Sequence, residues 1–446
     1  MVSAKALVFV ALVVAAVGSL GSPLITRVAT DLDVSLAAAQ WTLTVTLLAG
    51  AVATPVLGRL GAGPHRREAI LVTLGVVAAG SVLTVVPLPF AFLLAGRAAQ
   101  GAGLGLTALM MGVARDHLPA ERSARVIALV SVASTIGIGV GYPLAGLLTQ
   151  VAGLRTAYGL GLVVSLVALG TAWRHIPAAP AERRAKVDVV GAVLLAAGVT
   201  ALLIDVSQTK LWTQHLAVAL GIGVLAVGLL GCWVAWERRQ SSPLVDLRLL
   251  RLRAVAAANV TMFLGGIGMY LLLTLITRYA QTPSTAGYGF GLSVFEAGLI
   301  LVPFSALGFV AGKLNAPLGK RFGARRLLSG GAIAVLAACL LFATARGHLL
   351  EVVLAMALLG FGVGVFMAAM PAVILAVTPA DETSSAMAVN QVVRSVGFSL
   401  GSALGGLVLA AHTPVGQLVP TGNGYTVAAL LGVIALAVTA VSAWWS

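Results

Sequence analysis

Long apolar runs recur from one end of this chain to the other. Each has about 17 to 25 residues, enough to cross a hydrocarbon core about 30 Å thick. Of the 446 residues, 59% are hydrophobic and only 9% are charged, whereas soluble domains carry roughly a quarter charged residues. A transmembrane barrel would instead show segments of about ten residues with alternating hydrophobicity. The pattern therefore predicts an all-α polytopic membrane protein.

The apolar runs predict fourteen membrane spans, an even number that places both termini on the same side of the bilayer. We place the spans near residues 4–28, 40–60, 69–88, 90–113, 122–149, 154–174, 188–206, 214–236, 253–280, 293–317, 327–345, 350–375, 384–411 and 424–445. Most Lys and Arg residues fall in loops on the side of the termini, which predicts that both termini are cytoplasmic. The net charge of +14 thus reports topology and does not indicate a nucleic-acid partner.

A weak internal repeat predicts two halves of six spans each. Leu24-Ile25-Thr26-Arg27 recurs as Leu275-Ile276-Thr277-Arg278, and Gly101, Gly103 and Gly105 recur as Gly360, Gly362 and Gly364. The two copies are separated by 251 residues for the first motif and 259 residues for the glycines. Six spans need fewer residues than that, so we predict that two additional spans lie between the halves. The predicted units are residues 1–180, 181–245 and 246–446. Parallel halves with a site at their interface are a recurrent transporter design.

Arg97 lies inside the fourth span, where a guanidinium costs at least about 2.5 kcal/mol unless it faces a polar interior. It is therefore a functional candidate, and the alternative is that it caps neighbouring carbonyls and fixes helix packing. In the fifth span, several glycines surround Tyr142-Pro143. Glycines at this spacing allow close helix contact, and proline removes a backbone hydrogen bond, so we predict a close, bendable contact.

These segments together resemble the major facilitator superfamily, and within it the fourteen-span drug:proton antiporter family. Further similarity comes from Gln40-Trp41, from residues 291–299, and from Asn390-Gln391 through Arg394 to Gly405. The resemblance implies a major facilitator fold that exports lipophilic, often cationic compounds in exchange for protons. It also implies that Arg97 supports proton coupling and that the hinge is formed by Gly137, Gly141, Pro143 and Gly146.

The chain departs from the family pattern at two places. Ala62 stands in the cytoplasmic turn where family members carry an acidic residue, and Val17-Gly18-Ser19 stands where they carry an acid in the first span. The conformational latch and the proton-coupling residue therefore cannot be transferred unchanged.

A proton-coupled transporter needs a carboxylate that binds and releases protons, and few are available in the outer half of the spans. Asp31 follows Arg27 by four residues, so an outer ion pair with a gating role competes with a solvated helix end. Glu296 opens the tenth span, where the helix dipole alone would favour an acid. Asp205 ends an apolar run in an additional span, and we expect it at the outer interface, away from the central cavity.

Polar residues in several spans are candidates to line a central substrate cavity. They are Thr26, Arg27, Trp41, Thr44, Gln100, Tyr270, Thr277, Arg278, Asn390, Gln391 and Arg394, together with Arg97. Some of these side chains could instead be interhelical hydrogen-bond partners. The set is cationic and has no acid, which favours an anionic or neutral substrate.

The leading functional prediction is proton-coupled efflux of drug-like or secondary-metabolite compounds, and the alternative is uptake or facilitated diffusion of a small metabolite on the same fold. An enzyme would need a convergent catalytic set, yet the six histidines are scattered. Cys232 and Cys339 lie in apolar runs without metal-ligand spacing, so we predict no metal and no cofactor. The expected partners are a small-molecule substrate, protons and lipid, for a monomer.

An abundance of alanine, valine, glycine and arginine suggests a GC-rich genome and hence a multi-pass protein of the bacterial inner membrane. The segment after Lys5 can also be read as a cleaved signal peptide. We favour its retention, because the first repeat uses this segment.

Overall fold

The computed structural model describes residues 3–34, 36–61, 63–177, 188–207, 209–240, 243, 247, 252–414 and 419–445. Across these residues the chain is helical and contains no strand, which confirms the predicted all-α class. The first nine helices are α1 Ala4–Ser19, α2 Gly21–Asp31, α3 Leu36–Gly61, α4 Arg66–Val85, α5 Phe90–Ala102, α6 Leu106–His117, α7 Ala120–Ser131, α8 Ala133–Ala152 and α9 Leu154–His175. The remaining helices are α10 Val189–Ser207, α11 Thr209–Gln214, α12 Leu216–Glu237, α13 Arg253–Gln281, α14 Val294–Phe322, α15 Ala324–Thr344, α16 Leu349–Leu375, α17 Thr383–Ala411 and α18 Gly422–Trp445.

Twelve helices in the described part of the chain are long and apolar enough to cross a membrane. The predicted spans near 4–28, 90–113 and 122–149 are each divided, the last of them at Val132 between α7 and α8. The first is divided between α1 and α2 at Leu20, since Pro23 has no N–H for the carbonyl of Ser19. The second is divided by a 3₁₀ turn at Gly103–Gly105, within a run of glycines that weakens the α-helix.

The predicted repeat recurs as a pair of close helix contacts. A side chain at Gly101 would overlap the backbone carbonyl of Thr46 in α3, and a side chain at Gly360 would overlap that of Phe304 in α14. Both glycines let the backbones of two helices touch, as small residues do in membrane bundles. Glycines at matching positions in the two repeats therefore allow the same kind of close contact between helix backbones.

Helix α10 lies along α3 and α17, and α12 packs against α10. Leu195, Val199 and Leu203 of α10 pack with Leu48 and Ala51 of α3 in one apolar cluster. Valines of α17 border the same cluster. The additional helices thus cover a seam between the first and second repeats.

The predicted hinge helix α8 lies between α1 and α14. Gly137 and Gly141 face α1, where added side chains would meet the backbone of Ala16 and the hydroxyl of Ser19. Gly146 faces Phe295 of α14, and Pro143 contacts Gly298 of the same helix. The four residues therefore form contact surfaces on both sides of α8, and their hinge role stays a prediction.

Candidate functional site

A cavity of about 140 Å³ lies between the two repeats. It is lined by Ala15, Gly18, Ser19, Leu43, Leu47, Gly50, Thr54, Leu104, Thr135, Tyr142, Met269, Tyr270, Leu273, Phe304, Val363, Met367, Gln391, Arg394, Ser395 and Phe398. Both repeats contribute about equally, and most lining groups are apolar. We call this space the central cavity.

A second cavity of about 270 Å³ adjoins it and shares Leu43, Leu47, Tyr270, Ser395 and Phe398 with it. Its other lining residues are Gln40, Thr44, Leu203, Arg278, Ser399, Ser402, Ala403 and Gly406. We call it the outer cavity. Of the residues predicted from sequence, the structure brings together Thr44, Tyr270, Arg278, Gln391 and Arg394 around these two spaces.

Arg97 is fully buried and is saturated with acceptors. Its Nε donates to the carbonyl of Thr42 at 3.2 Å, and its two Nη atoms donate to the carbonyls of Val17 at 2.9 Å and Gly18 at 2.8 Å. Nη1 also donates to Oε1 of Gln100 at 2.6 Å. The two carbonyls of α1 lie beside the break at Leu20, so Arg97 caps the end of α1 and ties it to α3.

This geometry explains how the chain tolerates the absence of an acid in the first span. Backbone carbonyls of Val17 and Gly18 receive the guanidinium where the family pattern has a carboxylate. These are the contacts expected if Arg97 caps neighbouring carbonyls and fixes helix packing. Its part in proton coupling stays a prediction.

Gln100 points away from the central cavity and is fully buried. Its Nε2 donates to the hydroxyls of Ser81 at 3.0 Å and Thr84 at 3.3 Å. Thr84 in turn lines a pocket of about 480 Å³ at the end of the first repeat, together with Arg27, Asp31 and Tyr158. A hydrogen-bonded path therefore leads from this pocket to Arg97; we call the space the outer-mouth pocket.

Arg27 and Asp31 form the ion pair that their spacing predicts, with Nε and Oδ1 at 2.8 Å. Glu296 accepts from the N–H of Ser293 at 2.8 Å in a capping box, so its carboxylate completes the start of α14. Asp205 is buried, with Oδ2 next to Gly223 of α12, and it lines neither cavity. Its place at the outer interface stays a prediction.

Three other predicted residues lie away from both cavities. Asn390 donates to Oδ1 of Asn259 at 3.1 Å, and Thr277 donates to the carbonyl of Leu273 at 2.9 Å. Trp41 of α3 is partly exposed and lines neither cavity. The side chain of Thr26 lies outside the described residues.

The two repeats are joined at the end of the bundle that carries most of the basic loops, which we call the basic end. Arg59 pairs with Glu382 at 3.3 Å, and both side chains are largely buried. Arg115 donates to the hydroxyl of Thr383 at 2.8 Å and to the carbonyls of Leu375 and Thr378. Glycines Gly58, Gly61 and Gly112 let Ser384 and Ala388 of α17 approach closely.

Sequence reasoning missed this closure, because its partners are separated by hundreds of residues. The available signal was the acidic pair Asp381-Glu382, which lies between two spans on the side where most of the basic residues fall. A second cross-repeat ion pair joins Lys320 and Glu121 at 2.6 Å, but both side chains are exposed. The hydrogen bond from Lys320 lowers the pKa of Glu121.

Comparisons with known proteins agree with this architecture. The family model described as Major Facilitator Superfamily matches residues 7–313 and again residues 258–446. The chain is similar to the probable actinorhodin transporter of Streptomyces coelicolor, with 31% identity over 397 residues, covering 84% of this chain and 66% of that protein. It is also similar to the multidrug resistance protein Stp of Mycobacterium tuberculosis, with 28% identity over 380 residues, covering 83% of this chain and 69% of that protein.

The chain spans about two thirds of the length of these relatives. Its fold is also that of the human organic anion transporter MFSD10, with a TM-score of 0.70 and 16% identity over 99% of this chain and 100% of that chain. The family resemblance predicted from the motifs is confirmed. The chain belongs to the Major Facilitator Superfamily and is therefore a transporter and not an enzyme.

Proposed function

We propose that this protein is a proton-coupled exporter of drug-like or secondary-metabolite compounds that works by alternating access. The observation that carries the proposal is the central cavity, which both repeats line and which the Arg59 and Arg115 contacts close off at the basic end. Relatives named as a probable actinorhodin transporter and a multidrug resistance protein support export.

The proposed topology has fourteen spans. The twelve long apolar helices account for twelve spans, with α7 completing the fifth span ahead of α8. The other two are a divided first span, α1 with α2, and a divided fourth span, α5 with α6. In this arrangement residues 1–180 and 246–446 form the two six-span halves, residues 181–245 carry the additional pair, and the basic end faces the cytoplasm. The protein acts as a monomer in the bacterial inner membrane.

Proton coupling is proposed to begin at Asp31, which lines the outer-mouth pocket. Protonation of Asp31 removes the partner of Arg27, and Thr84 in the same pocket links through Gln100 to Arg97. Arg97 donates to carbonyls beside the break in the first span, at the end of α1. A change in the charge of Asp31 can therefore be transmitted to α1, which borders the central cavity. Arg97 and Asp31 are thus the proposed coupling residues, and Glu296 keeps a proposed gating role at the start of α14.

Export is tested in a bacterial host that lacks its main drug exporters. Cells that express the full chain should accumulate less of a transported dye than cells with an empty vector. A protonophore that collapses the proton gradient should remove the difference. Unchanged accumulation over a broad panel of anionic, neutral and cationic dyes would contradict the export proposal.

The ion pair at the basic end gives a separate prediction. Replacing Glu382 by glutamine removes the charge that holds Arg59, at a cost of roughly 1 kcal/mol, so the population open at the basic end should rise about fivefold. The change is measured as the distance between spin labels at positions 122 and 325, with Cys232 and Cys339 replaced by alanine.

Glu121→Gln is the matched control, because it removes the other ion pair between the repeats but one that is exposed to solvent. Its distance distribution should equal that of the parent protein. If both variants shift the distance distribution equally, or if neither does, the buried Arg59–Glu382 pair is not what keeps the basic end closed.

A further inference from the structure

Arg97 and Arg394 are both buried within predicted spans, but their surroundings differ. Arg97 is surrounded by oxygen acceptors from α1, α3 and its own helix. Arg394 of α17 is only 9% exposed, yet among the described residues its guanidinium has a single hydrogen-bond partner, the sulfur of Met367 at 3.8 Å from Nη1. Its guanidinium also lies 5.8 Å from the ring centre of Phe398.

The other buried arginines among the described residues, Arg59 and Arg66, do have carboxylate partners, unlike Arg394. Arg59 and Arg66 reach the carboxylates of Glu382 and Asp116. For Arg394, no described acidic residue lies within ion-pair distance. A thioether is a weak acceptor and an aromatic ring does not neutralise a charge, so the five N–H donors of this guanidinium are mostly unused. A buried cation in this condition is costly unless a ligand compensates it.

The position of Arg394 makes such a ligand accessible. The guanidinium lines the central cavity, and Arg278 lines the adjoining outer cavity. Every residue lining the two cavities is described, and none is Asp or Glu. The field inside both spaces is therefore positive, and walls of low dielectric strengthen it.

The rest of the central cavity favours flat apolar groups. Tyr270 and Phe398 stack with ring centres 5.0 Å apart and an interplanar angle of 21°, and both border the two cavities. Four leucines and two methionines also line this cavity. An aromatic scaffold can lie along these rings while an acidic substituent reaches Arg394.

From these observations we propose that the substrates are lipophilic aromatic anions, carboxylates or sulfonates, and that Arg394 is the residue that recognises the anionic group. The proposal rests on the proposed export function, since it names the substrate class of the same cavity. The guanidinium binds a carboxylate or sulfonate through paired N–H donors, which a lysine at the same place would reproduce only in part.

The test uses two dyes that share a xanthene scaffold and differ in charge, fluorescein as the anion and rhodamine 123 as the cation. Binding to the purified full chain in detergent is followed by fluorescence anisotropy at pH 8. Wild type should bind fluorescein at least about tenfold more tightly than rhodamine 123. Arg394→Gln should weaken fluorescein binding by at least about tenfold, as expected for loss of charge-assisted hydrogen bonds shielded from water.

Arg394→Lys should recover part of the fluorescein affinity, whereas Arg155→Gln, in the outer-mouth pocket, should leave it unchanged. Each variant is checked by size-exclusion chromatography for a folded particle. Tighter binding of rhodamine 123, no fluorescein binding by folded wild type, or equal fluorescein binding by wild type and Arg394→Gln would overturn the proposal.

Transport of the same dyes separates this proposal from the export function. If a pH gradient moves rhodamine 123 but not fluorescein in proteoliposomes, the exporter stands and the anionic substrate class is wrong. If fluorescein binds in an Arg394-dependent way but no gradient moves it, the recognition site stands and proton-coupled export fails.

Discussion

Replacing Gly360 by alanine is expected to destabilise the protein strongly, although it adds only one methyl group. The new Cβ would overlap the carbonyl oxygen of Phe304, which belongs to the backbone of α14 and cannot turn away like a side chain. The helices α14 and α16 must separate to accept it. We expect a loss of about 3 kcal/mol or more, and a clear fall in melting temperature measured on the purified protein in detergent.

Two further variants make this prediction specific. Gly101→Ala should destabilise the protein similarly, because its Cβ would meet the carbonyl of Thr46 at the corresponding place in the first repeat. Gly330→Ala, in α15, should be neutral or raise stability by roughly 0.5–1 kcal/mol, because the added Cβ would lie within 4 Å of no atom outside its own stretch of helix. Similar melting temperatures for Gly360→Ala and Gly330→Ala would show that α14 and α16 do not touch as described.

Arg97→Ala is expected to have the second large effect, on stability and transport together. It removes hydrogen bonds to Thr42, Val17, Gly18 and Gln100 and leaves carbonyls beside the break in the first span without this donor. Since hydrogen bonds to a charged group contribute about 1.5–3 kcal/mol each, the total loss should be about 3 kcal/mol or more. Thermal unfolding in detergent measures it.

Arg97→Lys should recover little of this loss, because one ammonium cannot reach acceptors on separate helices as a planar guanidinium does. Arg27→Ala is the control, since that arginine belongs to an exposed i,i+4 pair and should cost no more than about 1 kcal/mol. If Arg97→Ala melts like wild type yet loses transport, Arg97 serves coupling alone and the capping account is wrong.

The positions of the helices could be predicted from the sequence because hydrocarbon thickness sets their length. The repeat could be predicted too, since Gly101 and Gly360 mark contacts that tolerate no side chain. These features are local or periodic, so a linear sequence records them directly.

The assignment of polar residues to the cavity was less predictable, because a polar residue within a span can face a ligand or another helix. Gln100 and Arg394 are both polar residues within apolar runs, yet Gln100 donates hydrogen bonds to Ser81 and Thr84 while Arg394 lines the cavity. The difference depends on which helix face meets a neighbour. The pairing of Arg59 with Glu382 across 323 positions likewise depends on how the repeats dock.

Transport by the purified protein in proteoliposomes, with and without an imposed pH gradient, tests the central claim most directly. The external dye is offered from the basic-end side, with fluorescein and rhodamine 123 measured in parallel. Uptake against a dye gradient that follows the pH gradient and stops when a protonophore is added is the predicted result. Movement of dye down its own gradient only, at a rate indifferent to pH, would contradict proton coupling and identify a facilitator instead.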